Sequence, residues 1–463
     1  VTLTNLSFLE PKQPWPPKEE KERHDTYEVC EALREGEPAK VWPDLAKYLR
    51  QGTTEAQDFY IGFPWLVTKK AKDTILGEPP LFTLPKVNSE SNSQDEDLKT
   101  FISDLDYRRI IGEQICDLDA FGDAVQKIFI DEDKQIRIES IEPEHWYPVV
   151  KRGTRQIEYH VLAFKFEVQE KCYLEVEIHS KKTIEHRVYF LNKSVMGDSS
   201  TIGDLQDLAV FHPGLKEIEP NPTGEFLVIT SHNQRMSGEL YGISSYGKDF
   251  RSILEKITIR YSLANNVLDV FSRPTLVGPR NLQTYDPVTG KSVFRPGEYK
   301  GVNFDAGVTP FIPQAVTWDG HLTEGRIETL ALEEKLFIVA ELPPTSLAVN
   351  TQGGYASGVA WRLAMTPLIA KCARIREELD ASAKKALLVA AKLASKDFKG
   401  LNITWQDGLP KIPMEEAQRL GYLVTTGILS PKAAAIEYGK SEEEAQAMVD
   451  DMKSSAPSIV QGF

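Results

Sequence analysis

From Tyr246 to Phe271 the apolar residues Phe250, Ile253, Leu254, Ile257, Tyr261, Ala264 and Leu268 recur every three or four positions, which predicts one buried helix face. Upstream the period is different. Between Asp123 and about Thr230, "AVQKIFI" and "IRIESI" alternate around "DEDKQ" and predict a hairpin, and "YHVLAFKFEV", "CYLEVEIHS", "EHRVYFL" and "GEFLVIT" continue the alternation. This predicts a half-buried antiparallel sheet in a mixed domain. Before it, Phe101, Leu105, Ile111, Ile115 and Leu118 predict one helix over 97–122 with Gly122 as its stop, and the acidic "KVNSESNSQDEDLK" (86–99) reads as a mobile loop. After the first long helix, Ser272–Leu322 is rich in Gly, Pro, Val and Thr and reads as short strands and turns. A second helix, "TEGRIETLALEEKLFIVAEL", stops at Pro343 and Pro344. Ala356–Ala394 is a very long helical pattern, about 60 Å if unbroken, in which Pro367 predicts a kink or break about a turn upstream. A lone strand, "LNITWQDGL", and short C-terminal helices follow; Ser430 with Pro431 fits N-cap and N1, and Ser441 with Glu444 a capping box.

Composition narrows the function. The 463 residues carry a net charge of −14, a length that suggests about two to four domains. An acidic chain is a poor static binder of DNA, because such affinity comes from Lys and Arg neutralising phosphates. Cys30, Cys116, Cys172 and Cys372 form no CxxC pair, which points to a reducing compartment without a disulfide framework. No apolar run approaches the ~20 residues of a membrane span, and the proline-rich, charged N-terminus has no signal-peptide core, so a soluble intracellular product with no membrane partner is expected.

No candidate catalytic or nucleotide-binding motif is complete. Gly290, Lys291 and Ser292 match the tail of a P-loop, but Tyr285 holds the place of its first glycine and no strand-to-helix transition surrounds it. "LFIVAEL" sits at the end of a helical pattern rather than in a Walker B strand. "GISSYG" (242–247) misses GxSxG by one residue; Ser244 or Ser245 is expected to cap the coming helix. "DEDKQ" lacks the Gly and Glu of an EF-hand and reads as a solvated turn. Asp104/Asp106 and Asp117/Asp119, two apart on a helix, do not share a face and read as surface charge. His179 and His186 read as sheet residues, and no Cys/His spacing suits a metal. No catalytic constellation, metal or cofactor is expected. The glycine-rich run into a helix, "NTQGGYASGVAWRLAMTPL", has the form of a phosphate cradle, yet Pro343–Ala360 contains no charged residue. The residues leave open whether it holds a phosphate or is an ordinary loop.

The order of elements resembles that of tailed-bacteriophage portal proteins. "AFGDAVQKIFIDEDKQIRIESIEPEHWYPV" (120–149) is similar to the family's wing segment with its Gly-Asp before a strand, and "IEHRVYFL" to a later wing strand. "LYGISSYGKDFRSILEKI" resembles the Tyr-Gly-x-Ser entry into the first stem helix, "SGVAWRLAMTPLIAKCARI" the helix after the tunnel loop, and "GILSPKAAAIEYGKSEEEAQAM" the C-terminal helices. The resemblance covers most of the chain and is weakest over the first ninety residues. It implies a portal-like α+β fold: a wing at 1–245, stem helices at 246–271 and 323–342 around a small β-rich clip at 272–322, a tunnel loop at 343–356, a long kinked wing helix and strand at 357–410, and a helical crown at 411–463.

The resemblance also implies a function without enzyme activity. About twelve copies would form a head-to-tail ring at one capsid vertex, through which double-stranded DNA is packaged by a separate terminase and later ejected. Partners implied are a second copy of the chain, the terminase large subunit, adaptor or head-completion proteins, and capsid and scaffolding proteins, in the virion after assembly in the host cytoplasm. Val349, Asn350, Thr351, Gln352, Gly353 and Gly354 would face the DNA, and Pro367 would bend the helix behind them. Lys248, Arg251, Lys256 and Arg260 are stem candidates for guiding the strand within an otherwise acidic channel wall. Arg280, Asn281, Asp286, Lys291, Arg295 and Lys300 are clip candidates for docking terminase and adaptors. The competing classes are a P-loop-like ATPase of the packaging motor and another ring-forming tail or baseplate protein.

Overall fold

The computed structural model describes residues 2–45, 60–85, 92–193, 200–271, 275–279, 300–302, 314–316, 322–347, 358–405, 413–440 and 442–455. An N-terminal arm containing strand β1 (Pro14–Trp15) leads into helix α1 (Lys21–Glu35), which ends on Gly36 in the left-handed conformation, φ 81°. Helix α2 (Phe63–Leu76) and strand β2 (Leu81–Thr83) follow.

The single helix expected over 97–122 is two, α3 (Asn92–Asp104) and α4 (Tyr107–Ala120). Asp106 between them is left-handed, φ 49°, which turns the chain sharply. Helix α3 begins inside the acidic stretch expected to be a loop. Leu98 and Phe101 are buried there, and Asp95 Oδ1 accepts the Leu84 N–H at 3.1 Å, so a few anchors hold a largely polar helix in place. Residues 86–91 of that stretch lie outside the described residues.

The strand-rich segment divides into two sheets rather than one. Strands β3 (Asp123–Ile130) and β4 (Ile136–Ile141) form the expected hairpin around a turn closed by Asp131 N–H to the Gln135 carbonyl, 2.9 Å. The chain then turns through Pro143–His145 into β5 (Trp146–Val150), β6 (Ile157–Val168), β7 (Lys171–His179), β8 (Thr183–Lys193) and β9 (Ser200–Gln206). These join β1 and the short β10 (Ile218–Pro220) in a seven-stranded sheet of order β1-β9-β8-β7-β6-β5, with β10 beside β8. Strand β11 (Val228–His232) returns to pair with β3 in a three-stranded sheet. His179 and His186 are both sheet residues, on β7 and β8.

These two sheets pack on separate main cores and share a small cluster of Val125, Val228, Trp146 and Leu162 between them. Leu3, Phe8, Leu9 and Trp15 of the arm cover the alternating residues Val161, Leu174, Val176 and Ile178 of the long sheet. The hairpin sheet packs through Ala124, Ile128, Ile138 and Ile229 on helical residues including Ile111, Ile115 and Leu118.

Helices α5 (Lys248–Phe271) and α6 (Leu322–Val339) pair antiparallel and flank strands β12 (Thr275–Pro279), β13 (Lys300–Val302) and β14 (Gln314–Val316), which form one small sheet of order β13-β12-β14. The long helical pattern appears as α7 (Gly358–Ala364) and α8 (Thr366–Leu393). They part at Met365, two residues before Pro367, whose nitrogen carries no proton for the preceding turn. Strand β15 (Asn402–Thr404) pairs with β2, a partner some 320 residues upstream in the register Asn402↔Thr83. Helices α9 (Pro413–Thr425), α10 (Pro431–Glu437) and α11 (Glu442–Ser455) close the chain. Ser430 Oγ accepts the Ala433 N–H as the N-cap of α10; Ser441 lies outside the described residues.

Candidate functional site

The α5–α6 hairpin is attached to the α+β body through a clasp of two backbone segments. Gly242 is pressed against Gly122: a Cβ at Gly242 would stand 2.0 Å from the Gly122 carbonyl oxygen. Gly122 has φ 90°, and its own Cβ would lie 2.7 Å from the Ile243 carbonyl carbon. Side chains fit at neither place. Asp123, wholly buried, accepts the Gly242 N–H at 2.9 Å, the Tyr27 hydroxyl at 2.5 Å and His232 Nδ1 at 2.5 Å. Ser244 Oγ donates to the Ala120 carbonyl and accepts the Tyr246 N–H at 2.9 Å. The Gly-Asp at 122–123 and the Tyr-Gly-x-Ser at 241–244 are thus the two halves of one contact. Neither Ser244 nor Ser245 caps α5, contrary to expectation; the Gly247 carbonyl accepts from Arg251 N–H at 3.0 Å and starts the helix.

Beside the clasp lies a buried ionic group. Asp119 accepts Thr68 Oγ1 on Oδ2 and Ser245 Oγ on Oδ1, both at 2.6 Å, and Lys371 Nζ of α8 meets Oδ1 at 2.6 Å. Asp119 is 0% and Lys371 5% exposed, so the pair is closed to water. Asp117 is buried as well, with Ser140 Oγ donating to it at 3.2 Å, and burial pushes its carboxyl up to about 7 despite the nearby Arg34. Neither aspartate is the surface charge that the sequence suggests. Spacing two apart rightly denies them a common face, but it is silent on what packs against each. Asp119 is met by a cation 252 positions along the chain, a pairing with no local signal.

A second buried cation ties the N-terminal arm to the same place. Arg23 Nε meets Glu20 Oε2 at 2.7 Å, its two terminal nitrogens donate to the Pro143 and Trp146 carbonyls at 2.9 and 2.7 Å, and the guanidinium lies 4.6 Å from the Tyr241 ring centre. Tyr241 Oη donates to Glu20 Oε2 at 2.7 Å.

The hairpin buries one side and exposes apolar groups on others. Phe250, Leu254 and Ile257 of α5 and Leu336 and Phe337 of α6 are buried. Arg260 pairs with Glu328 at 2.9 Å, and Tyr261 Oη donates to Glu333 at 2.6 Å, fixing the helices side to side. Away from that seam Ile338 is 75% and Ile327 63% exposed, with Leu330 and Val339 also open. A groove of about 730 Å³ runs between the far ends of the helices, lined by Leu263, Ala264, Leu268, Leu322 and Leu330 among others. The two helices carry six basic and seven acidic residues, so nearly all of the chain's acidic excess lies outside them.

Lys248, Lys256 and Arg260 are exposed and Arg251 is half-buried. At about 100° per residue they spread over roughly half of the helix circumference rather than forming one stripe. Lys300 falls in β13; Arg280, Asn281, Asp286, Lys291 and Arg295 lie outside the described residues, as do Val349–Gly354. Among the described residues one trio, Glu142, Glu144 and His145 in the turn before β5, brings three ligand-type atoms within 4.8 Å of one another. No helix in the described residues is long and apolar enough to cross a membrane.

The family model described as "Phage portal protein, SPP1 Gp6-like" matches residues 56–458. No curated protein matches the chain. Among solved structures, a chain of the "Neck of empty GTA particle computed with C6 symmetry" is similar at 12% identity and a TM-score of 0.47, over 86% of this chain and 94% of that one. With well over half of its length matched, the chain belongs to the SPP1 Gp6-like family of phage portal proteins.

Proposed function

We propose that the chain is one subunit of a closed head-to-tail ring of about twelve copies, set at a capsid vertex, through which double-stranded DNA is packaged and later ejected. The α5–α6 hairpins pack side by side around the channel. The β12–β14 insert is the docking platform for the terminase large subunit and then for adaptor proteins, and the α+β body meets capsid and scaffolding proteins. The observation that carries the reading is the exposed apolar surface of α6: Ile327, Leu330, Ile338 and Val339 face away from the buried seam of a helix whose other side is already packed. A lone chain leaves that surface in water, whereas a head-to-tail neighbour uses a different face of its own hairpin to cover it. The chain is a conduit and not the motor.

Negative-stain microscopy with native mass spectrometry tests this. The expected result is a ring of about twelve subunits with a central channel, reduced to monomer by joint Ile327→Glu and Ile338→Glu. A wild-type monomer or hexamer, or a ring indifferent to both glutamates, overturns it. ATP hydrolysis by the pure protein, lost on Lys291→Ala, would favour the motor instead.

A further inference from the structure

The Asp119 carboxylate serves four elements at once. It projects from the last turn of α4, holds Thr68 of α2, holds Ser245 at the entry to α5, and receives Lys371 of α8. Its backbone carbonyl also takes the Ser245 N–H at 2.9 Å. One turn along α8 from Lys371, Arg374 pairs with Glu341, just past the end of α6. Both legs of the hairpin are therefore fastened at their root to one face of α8, the α5 leg through Asp119 and the α6 leg through Glu341.

A buried ion pair is a poor source of net stability, because desolvating both charges offsets most of their attraction. Its value is geometric. Apolar contacts tolerate sliding, whereas a carboxylate shared by two hydroxyls and an ammonium at 2.6 Å admits one arrangement. We infer that the Asp119 group is a positioning device that fixes the angle between the hairpin and the α+β body, and through that angle the subunit number at which the ring closes. The inference rests on the ring reading proposed above. A cyclic assembly closes only where the rotation per subunit divides a full turn, and moving from twelve subunits to thirteen changes that rotation from about 30° to about 28°. So small a difference in hairpin tilt has to be held by groups with hard geometry.

The test counts subunits per ring by native mass spectrometry. The wild-type chain is expected to give one dominant number. Asp119→Leu combined with Lys371→Met replaces the pair by packed apolar groups and is expected to keep the secondary structure by circular dichroism while broadening the distribution of ring sizes. Ser245→Ala, which removes the side-chain bond to α5 and leaves the backbone bond in place, is expected to broaden it less, and Ser245→Thr to restore it. A folded double variant with the wild-type ring count overturns the inference. Should the double variant not fold, Ser245→Ala with an unchanged ring count overturns it equally. A wild-type chain that forms no ring refutes the ring reading itself, a failure visible before any variant is made.

Discussion

Two residues show how burial at the clasp converts into measurable stability. Gly242 has an ordinary backbone conformation, so its intolerance is steric alone: a methyl group there meets the Gly122 carbonyl at 2.0 Å. Gly242→Ala is expected to cost at least about 3 kcal/mol in urea unfolding. Gly153, at φ 75° with open space around it, is the control, and Gly153→Ala should cost only about 1 kcal/mol from its left-handed backbone. Equal losses at the two sites would remove the close approach as the cause. Asp117 gives a pH signature. Its folded-state pKa of about 7 stands above the ordinary 3.8. Between those values the native chain binds a proton that the unfolded chain has released, so this group lowers stability as pH rises from about 4 to about 7. Asp117→Asn should therefore raise unfolding free energy by about 4 kcal/mol at pH 8 and leave it nearly unchanged at pH 4. The same gain at both pH values would mean that the carboxyl is ionised throughout.

At the scale of elements, what can be read from the chain follows from how local each cause is. The β3–β4 hairpin, the α5 face and the Ser430 cap announce themselves within a dozen residues, because period and capping chemistry are local. The break at Asp106 does not: one left-handed residue splits a continuous apolar period, and Asp carries no strong mark for it. The first turns of α3 are hidden because composition outweighs the two anchors Leu98 and Phe101. The division into two sheets depends on β11 returning to β3 across about a hundred residues, which alternation cannot encode. At the clasp, the two glycine motifs are visible in the sequence but their meeting is not, and the pairing of Asp119 with Lys371 leaves no trace there at all. Helix α6 offers a test at this scale. Gly325 lies in it without a left-handed backbone, and a methyl group added there would have nothing within 4 Å. Gly325→Ala should raise the thermal midpoint, corresponding to about 0.5–1 kcal/mol; a loss would mean that the glycine serves a contact made only by a neighbouring subunit.

For the whole assembly the question is where charge sits relative to DNA. Twelve chains would carry 12 × −14, about −168, yet the proposed channel hairpin contributes six basic and seven acidic residues per subunit and is close to neutral. The segment from Pro343 to Ala360, which joins the hairpin to α7, has no charge at all. A conduit needs weak, exchangeable contact: each lysine or arginine that neutralises a phosphate adds affinity, and affinity opposes sliding. Near-neutral lining with the acidic excess held elsewhere meets that need better than a strongly acidic wall, which would also resist entry of the strand. Gln352→Lys would add about twelve cations to the uncharged segment and leave every residue of the clasp and of α6 unchanged. Rings should still form, and packaging should slow, with the defect largest at low ionic strength and relieved as salt screens the added charges. A packaging assay at two salt concentrations decides it: an unchanged rate at both would place residue 352 away from the DNA path, and a salt-independent loss would point to a steric effect instead.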